Sequence, residues 1–519
     1  MKFTFLKSNS TINTVMTTVM LPAVFKSLPK LGLGLSLILL AGCVSMSGIS
    51  PQAQLVTSEK LDAGKVITTA AHIAWPKEDW WKIYHDPQLD SLIAKAVEGS
   101  PTINAAKARV ALTQAIADSM HAETLPNISG NISVVRERFT ELQFIPPPWG
   151  GHSDWNNKAA ISLAHDLDLW GRQESIWQGS LDESKATAAE MQQVKLGLES
   201  AIIRSYVQLA MEFELRDIAE EHQAQLKERI AIARRALAAG IGTQMEVLET
   251  ETPLPTAHAH IEAINARIDL LRHQLAVLSG QGPGAGDVIQ RPSMSLDNLV
   301  GLPDQLPANL IGRRPDVLAQ RWHVEAASHN IEGAKAAFYP NINLLAFVGF
   351  QALGFSQLLS SAAGIAGVGP AISLPIFDGG RRRGNLSAKT AAYDLAVENY
   401  NEAVIRALQD VSDQLVILQS NIKQRKDVAL ALATAHKAHT LAEKSYHAGL
   451  TNYQHVLDTH AIVLRQQEIA TQLEAVWLDG YANLMRALGG GTIVNGTDGY
   501  HLDEQGVEQP TNTGVTEHQ

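Results

Sequence analysis

The residues that could do chemistry in this chain are few and scattered. A glycine-rich phosphate cradle, a GxSxG nucleophile turn, an HExxH helix and paired cysteines each need fixed spacing, and none of these strings occurs in the 519 residues. The chain therefore reads as a non-enzyme with no metal or organic cofactor. His258 and His260 are two apart and do not share a helix face. His436 and His439 do share one, but two exposed imidazoles are more often solvated than metal-bound. Arg381–Arg383 follow a β-like stretch, where a junction between sheet and helix would lie. Cys43 is the only cysteine, so no intrachain disulfide is possible. A net charge of −11 argues against a nucleic-acid partner.

The flanks of Cys43 say more than the thiol. Lys26 and Lys30 precede an apolar run, Leu31–Leu40, and small residues Ala41 and Gly42 stand before Cys43. This is a secretory signal, too short to remain as a spanning helix. The string Leu39–Cys43, LLAGC, resembles a bacterial lipobox. That likeness implies cleavage after residue 42 and a lipid on Cys43, which becomes the first residue of the mature chain. Val44 and Ser45 follow, with no aspartate, which by the same likeness implies sorting to the outer membrane. No later apolar run is long enough for a transmembrane helix, so the mature chain is a peripheral lipoprotein or a β-barrel.

The elements that position these residues are written twice. Ser100–Ile128 and Arg314–Ile342 carry matching prolines, Pro101 with Pro315 and Pro126 with Pro340. The string AISL recurs at Ala160–Leu163 and Ala371–Leu374. Gly240 with Val247 and Leu248 recurs as Gly449 with Val456 and Leu457. In each copy a helix is followed by two alternating stretches, about 127–167 and about 341–376, each segment near the roughly 9–11 residues of a tilted barrel strand. Ile128, Ile132 and Val134 fall on one face, and Asn131, Ser133 and Val135 on the other. Phe139, Phe144, Trp149 and Trp155 gather at the first hairpin loop and Phe347, Phe350 and Phe355 near the second, as an interfacial belt would. Then come proline-free helical texts, about 172–239 and about 381–448, each roughly 100 Å long as a helix. Helices of that length must pack side by side, as in a coiled coil. They end at glycine turns, Gly240 with Gly242 and Gly449, and a return helix follows each. Pro253 and Pro255 predict a kink or a broken first turn in the first return helix.

The domain reading is therefore a signal peptide over 1–42, an extended leader over 43–79, a first repeat over 80–285, a second over 286–488, and a flexible tail over 489–519.

Five strings carry a family likeness: WWKIYHDPQLDSLIAKAV (Trp80–Val97), LPANLIGRRPDVLAQR (Leu306–Arg321), YPNI (Tyr339–Ile342), ISLPIFDGGRRRGNL (Ile372–Leu386) and YHAGLTNYQHVLD (Tyr446–Asp458). The chain resembles TolC-like outer-membrane efflux proteins, in particular their lipidated NodT-type branch. The resemblance implies an α+β membrane protein: a homotrimer whose chains each give four strands to one twelve-stranded barrel, continued by a coiled-coil tunnel across the periplasm. It implies a passive exit duct for drugs or small toxic compounds. The implied partners are a periplasmic membrane-fusion adaptor, an inner-membrane pump of the resistance-nodulation-division type and outer-membrane lipid. It also implies a constricted mouth at the last helix turn, where Tyr446, Gly449 and Asp458 match the family's motif and Asp458 would form an acidic ring. Two positions depart from it: Thr451 stands where TolC has a latching arginine, and His455 where it has a second acidic residue. The alternatives are an exit duct for type I protein secretion and, from another class, a structural coiled-coil lipoprotein without a pore.

Overall fold

The computed structural model describes residues 45–57, 75–142, 148–296, 313–491, 500–502 and 508–510. Cys43, the signal segment and Phe144 lie outside the described residues.

Two short helices come first, α1 (Pro87–Gly99) and α2 (Pro101–Ala122). Both start on a proline, where a missing N–H costs nothing, and both are capped by side chains. Asp86 accepts from the N–H groups of Gln88 and Leu89, and Ser100 from that of Thr102. The hairpin β1 (Asn127–Arg138) and β2 (Ser153–Asp166) leads into α3 (Arg172–Ala238). The return is α4 (Gln244–Glu251) and α5 (Pro253–Leu278). The second copy repeats the order: α6 (Pro315–Ala336), β3 (Asn341–Leu353), β4 (Gly364–Ser373), α7 (Arg381–His447) and α8 (Tyr453–Ala487). Helices α3 and α7 are both 67 residues long, and α2 and α6 are both 22.

The return helices differ where the prolines predict. Helix α8 is continuous for 35 residues. Its counterpart breaks at Thr252, and α5 restarts with Pro253 in its first turn. Pro253 and Pro255 have no N–H to give the carbonyls four residues back, so the hydrogen-bond ladder is interrupted there while Thr252 keeps helical dihedrals, φ −55° and ψ −40°.

The four strands form one antiparallel sheet in the order β1-β2-β3-β4. Register assigns its faces. Ile128 pairs with Leu163, Ile161 with Val348, and Val348 with Ala366, so these side chains share one face with Ile132 and Ile372. That face is apolar and exposed at Ile132, Ile161, Val368 and Ile372. The opposite face carries Ser129 against Ser162, Ser133 against Lys158, and Asn341 against Ser373. An apolar outside and a polar inside with period two is the pattern of a barrel wall. Strands β1 and β4 are left as open edges.

The largest core lies partway along α3, where α1, α3, α5, α7 and α8 meet. Tyr84 packs edge-on to Tyr481 and donates its hydroxyl to the carbonyl of Leu478 at 2.7 Å. Tyr206 donates to Asp86 at 2.9 Å, and Asp86 also accepts from the N–H of Ser293. Arg314 is buried at the start of α6, ion-paired to Asp316 at 2.7 Å and Asp410 at 2.9 Å, and donates to the carbonyl of Ala487. One side chain thus ties α6 to the middle of α7 and the end of α8.

The leader is extended and lies along α7. The N–H groups of Gln52 and Ala53 donate to Asp394, that of Val56 donates to Asn401, and Asn401 donates back to the carbonyl of Gln54. Met46, Ile49 and Leu55 fill the groove between α6 and α7.

Two expectations need correction. The flexible tail does not begin at residue 489: Gly489 and Gly490 are buried, and all three glycines to Gly491 have positive φ. They pass so close to Arg313, Leu196 and Lys77 that a Cβ would collide. Beyond them the described residues form only the antiparallel pair β5 (Tyr500–Leu502) and β6 (Glu508–Pro510). The aromatic belt is also redistributed. Phe139 is buried, while Trp155 packs on Phe355 with ring centroids 5.5 Å apart. At the other end of the sheet Trp170 stacks on Tyr339 at 4.7 Å, a pair the sequence reading missed.

Candidate functional site

The two glycine turns close the far ends of α3 and α7. Each is a Schellman ending. In the first, Gly240 has φ +73°, its N–H bonds the carbonyl of Leu237, and the N–H of Ile241 bonds that of Ala236. In the second, Gly449 has φ +73°, with Gly449 bonded to Tyr446 and Leu450 to Ser445. Gly242 is needed for space: a Cβ there would meet Ala236 and Leu237 at 3.0 Å. The residue with the matching place in the second turn is Thr451, which is half-buried.

The return helices start differently. Thr243 and Glu246 form a complete capping box. In the second copy Asn452 alone caps α8, accepting from the N–H of His455 at 3.0 Å. His455 thus holds the position that Glu246 holds in the first copy. Its side chain is exposed, and it lies one turn from Asp458.

Asp458 is about half exposed but not bare. Its carboxylate lies 3.4 Å from the guanidinium of Arg229 on α3 and accepts from Gln454 at 2.9 Å. An arginine therefore does face Asp458, supplied by the other long helix rather than by position 451. Tyr446 packs edge-on to Tyr453 at 5.0 Å. The Tyr453 hydroxyl hydrogen-bonds Glu228, which with partial burial pushes its pKa up to about 12. Below, His460 reaches Glu221 at 3.0 Å and stacks on His439 with centroids 4.6 Å apart. Three ties thus bind the first turns of α8 to one stretch of α3. No local signal announces Arg229, Glu228 or Glu221, because their partners lie in the other copy. His436 is exposed, and His439 finds His460 rather than its neighbour on the same helix.

At the opposite end, the three arginines split their roles. Arg382 is buried, paired with Asp378 at 2.7 Å. Arg383 donates to the carbonyls of Ser45 and Ser47. Arg381 lines a cavity of about 390 Å³ with Arg172, Trp170 and Tyr339. Among the described residues no group of three or more His, Cys, Asp or Glu is placed to hold a metal, and no helix is long and apolar enough to cross a membrane.

A sheet with one lipid-facing and one polar face, standing on paired helices of about 100 Å, defines an outer-membrane channel of the barrel-and-tunnel type. The family described as outer membrane efflux protein matches residues 92–281 and 306–490, once in each copy, and the chain belongs to that family. It is 43% identical over 374 residues, covering 71% of this chain and 70% of the relative, to the fusaric acid resistance protein FusA of Burkholderia cepacia. It is 29% identical to the multidrug resistance outer membrane protein MdtQ of Escherichia coli O6:H1, covering 88% of this chain and 96% of that one. Among solved structures it is similar to the outer membrane protein VceC of Vibrio cholerae, with a TM-score of 0.74 and 28% identity over 80% of this chain and all of that one. The protein is an outer-membrane channel of a tripartite efflux pump, extends into the periplasm and is not an enzyme.

Proposed function

We propose that three copies of this chain close into one duct, anchored by a lipid on Cys43, that passes small toxic organic compounds from a periplasmic adaptor and a pump of the resistance-nodulation-division type. The open edges of β1 and β4 carry this reading. Four strands cannot close a wall, and an unpaired edge in lipid costs several kcal/mol per unsatisfied group. Joining β4 of one copy to β1 of the next removes every edge.

The leader supports the anchor. Arg383 holds the carbonyls of Ser45 and Ser47 at the start of α7, beside the sheet. Cys43 is two residues earlier, within roughly 7 Å of chain, so a lipid there reaches the membrane. The cargo class follows the 43% identical relative, whose name is that of a resistance protein against an organic acid. At the mouth, Asp458 with Arg229 forms a gate tie repeated around the axis, with Tyr453 and Glu228 beside it.

The test is an unboiled gel followed by single-channel conductance of the lipidated protein beside Asp458→Ala and Arg229→Ala. A trimer with discrete openings, held open longer in either variant, is expected. Monomer alone on the gel overturns the trimeric duct. Openings identical in all three proteins keep the duct and discard the gate tie.

A further inference from the structure

The cavity where sheet gives way to helix has the makings of a ligand site. Its volume is about 390 Å³, within the range of about 300–1,000 Å³ that small-molecule sites occupy. Its cations are open. Among the described residues neither Arg172 nor Arg381 forms an ion pair, whereas Arg382 beside them is locked to Asp378. Its anions are engaged. Asp168 accepts from the N–H groups of Arg172 at 2.6 Å and Glu174 at 2.9 Å, capping α3. Asp166 accepts from the N–H of Asp168 and from Asn341 at 2.9 Å. Two guanidiniums are thus left without a carboxylate in a chain whose net charge is −11. Beside them stand Trp170 and Tyr339, half exposed and stacked at 4.7 Å with planes 19° apart, held by the indole N–H donating to the carbonyl of Pro340 at 2.8 Å.

Two observations turn this cavity to the inside of the duct. Of the strand residues that line it, Asp166, Asn341 and Ser373 belong to the polar face of the sheet, and Ile342 alone to the face of Ile161 and Ile372. On α7, Arg381 and Asn385 line it, while Arg383, two residues from each, faces the leader. Two residues on a helix are about 200° apart, so cavity and leader lie on opposite sides of α7. With the polar face of the sheet turned to the duct, the cavity opens inward and the leader lies on the far side of α7. This placement rests on the closure by three copies proposed above.

We propose that this cavity is a transit site for aromatic carboxylates, present once per chain around the duct. Guanidiniums bind a carboxylate in a fixed fork. The indole–phenol pair offers a flat apolar surface for the ring. An acetate-sized anion fills only the first half of the site, and a neutral aromatic only the second.

The test uses benzoate as the probe on the intact, detergent-solubilised protein, with acetate and benzyl alcohol as controls. The unboiled gel comes first: loss of the trimer there overturns the closed duct, not the chemistry of the cavity. On the trimer, saturation-transfer NMR titrations compare the parent with an Arg172→Gln/Arg381→Gln variant and with Trp170→Leu. Benzoate binding weakened about tenfold or more in the double variant, weakened in Trp170→Leu, and not displaced by benzyl alcohol at equal concentration is the expected result. Benzoate binding equal in parent and double variant, or absent from an intact trimer, overturns the site. Acetate binding as tightly as benzoate overturns the aromatic half of the assignment.

Discussion

Glu199 gives the sharpest quantitative prediction. It is buried on α3 in the main core, and its Oε1 finds no hydrogen-bond donor. Lys195, one turn before it, is held 2.8 Å from Glu78 instead. Burial therefore raises the Glu199 pKa from 4.5 to about 7, with Lys195 opposing the rise and Glu78 adding to it. The sign follows from linkage. The folded state holds this proton more tightly than the unfolded chain, so below pH 4.5 there is no penalty. The penalty grows as pH rises from 4.5 and is complete above about 7. Its full size is about 3 kcal/mol per chain. Glu199→Gln removes the ionisation and keeps the shape. Thermal melts followed by circular dichroism from pH 5 to 8.5 read the effect. The gap between the two proteins is small near pH 5 and widens with pH, so that the variant melts several degrees higher at pH 8. Parallel melting profiles across the whole range would show that Glu199 has a partner or water that the packing does not provide, and the argument from burial would fail.

Other perturbations test other parts of the structure. The His323 ring lies 3.0 Å from Glu183 across α6 and α3, and that bond holds its pKa above 6.5. The stability it adds is present below pH 6.5 and is lost as pH rises through the raised value, so His323→Gln melts lower than the parent at pH 5.5 and matches it at pH 8.5. Arg314→Met leaves the Asp316 carboxylate and the carbonyl of Ala487 without their buried donor; a loss of about 3 kcal/mol is expected in urea unfolding. Gly449→Ala forces a side chain onto φ +73°, which costs about 1–2 kcal/mol and loosens the mouth; protease cutting at the turn reports it. Replacing Pro253 and Pro255 together by alanine lets α4 and α5 join, and hydrogen exchange around residues 249–255 slows.

The architecture was legible because each element declares itself locally. The prolines at 101 and 315, the period-two strands and the glycine turns each mark an element by its own residues, and the duplication gave two independent readings. The mouth was legible only in part. Asp458 stands out by motif, but its partner Arg229 is one cation on a long polar helix face, and only the antiparallel alignment of α8 with α3 brings them together. The same holds for His439 with His460 and for Trp170 with Tyr339, whose partners come from different elements. The glycines at 489–491 misled for a physical reason: a glycine run has the composition of a loose tail, yet it also suits a place where backbones pass too closely for any Cβ.

The leader has a consequence for how the molecule is made. Its hydrogen bonds to Asp394 and Asn401 join residues 342 and 345 positions apart in the chain. The leader is made early, so for most of synthesis the groove between α6 and α7 that receives it does not exist. A segment made before either repeat is thus among the last to find its place. A chain stopped anywhere before α7 leaves Met46, Ile49 and Leu55 uncovered, an apolar flag that marks an unfinished molecule to any protease or chaperone that surveys it.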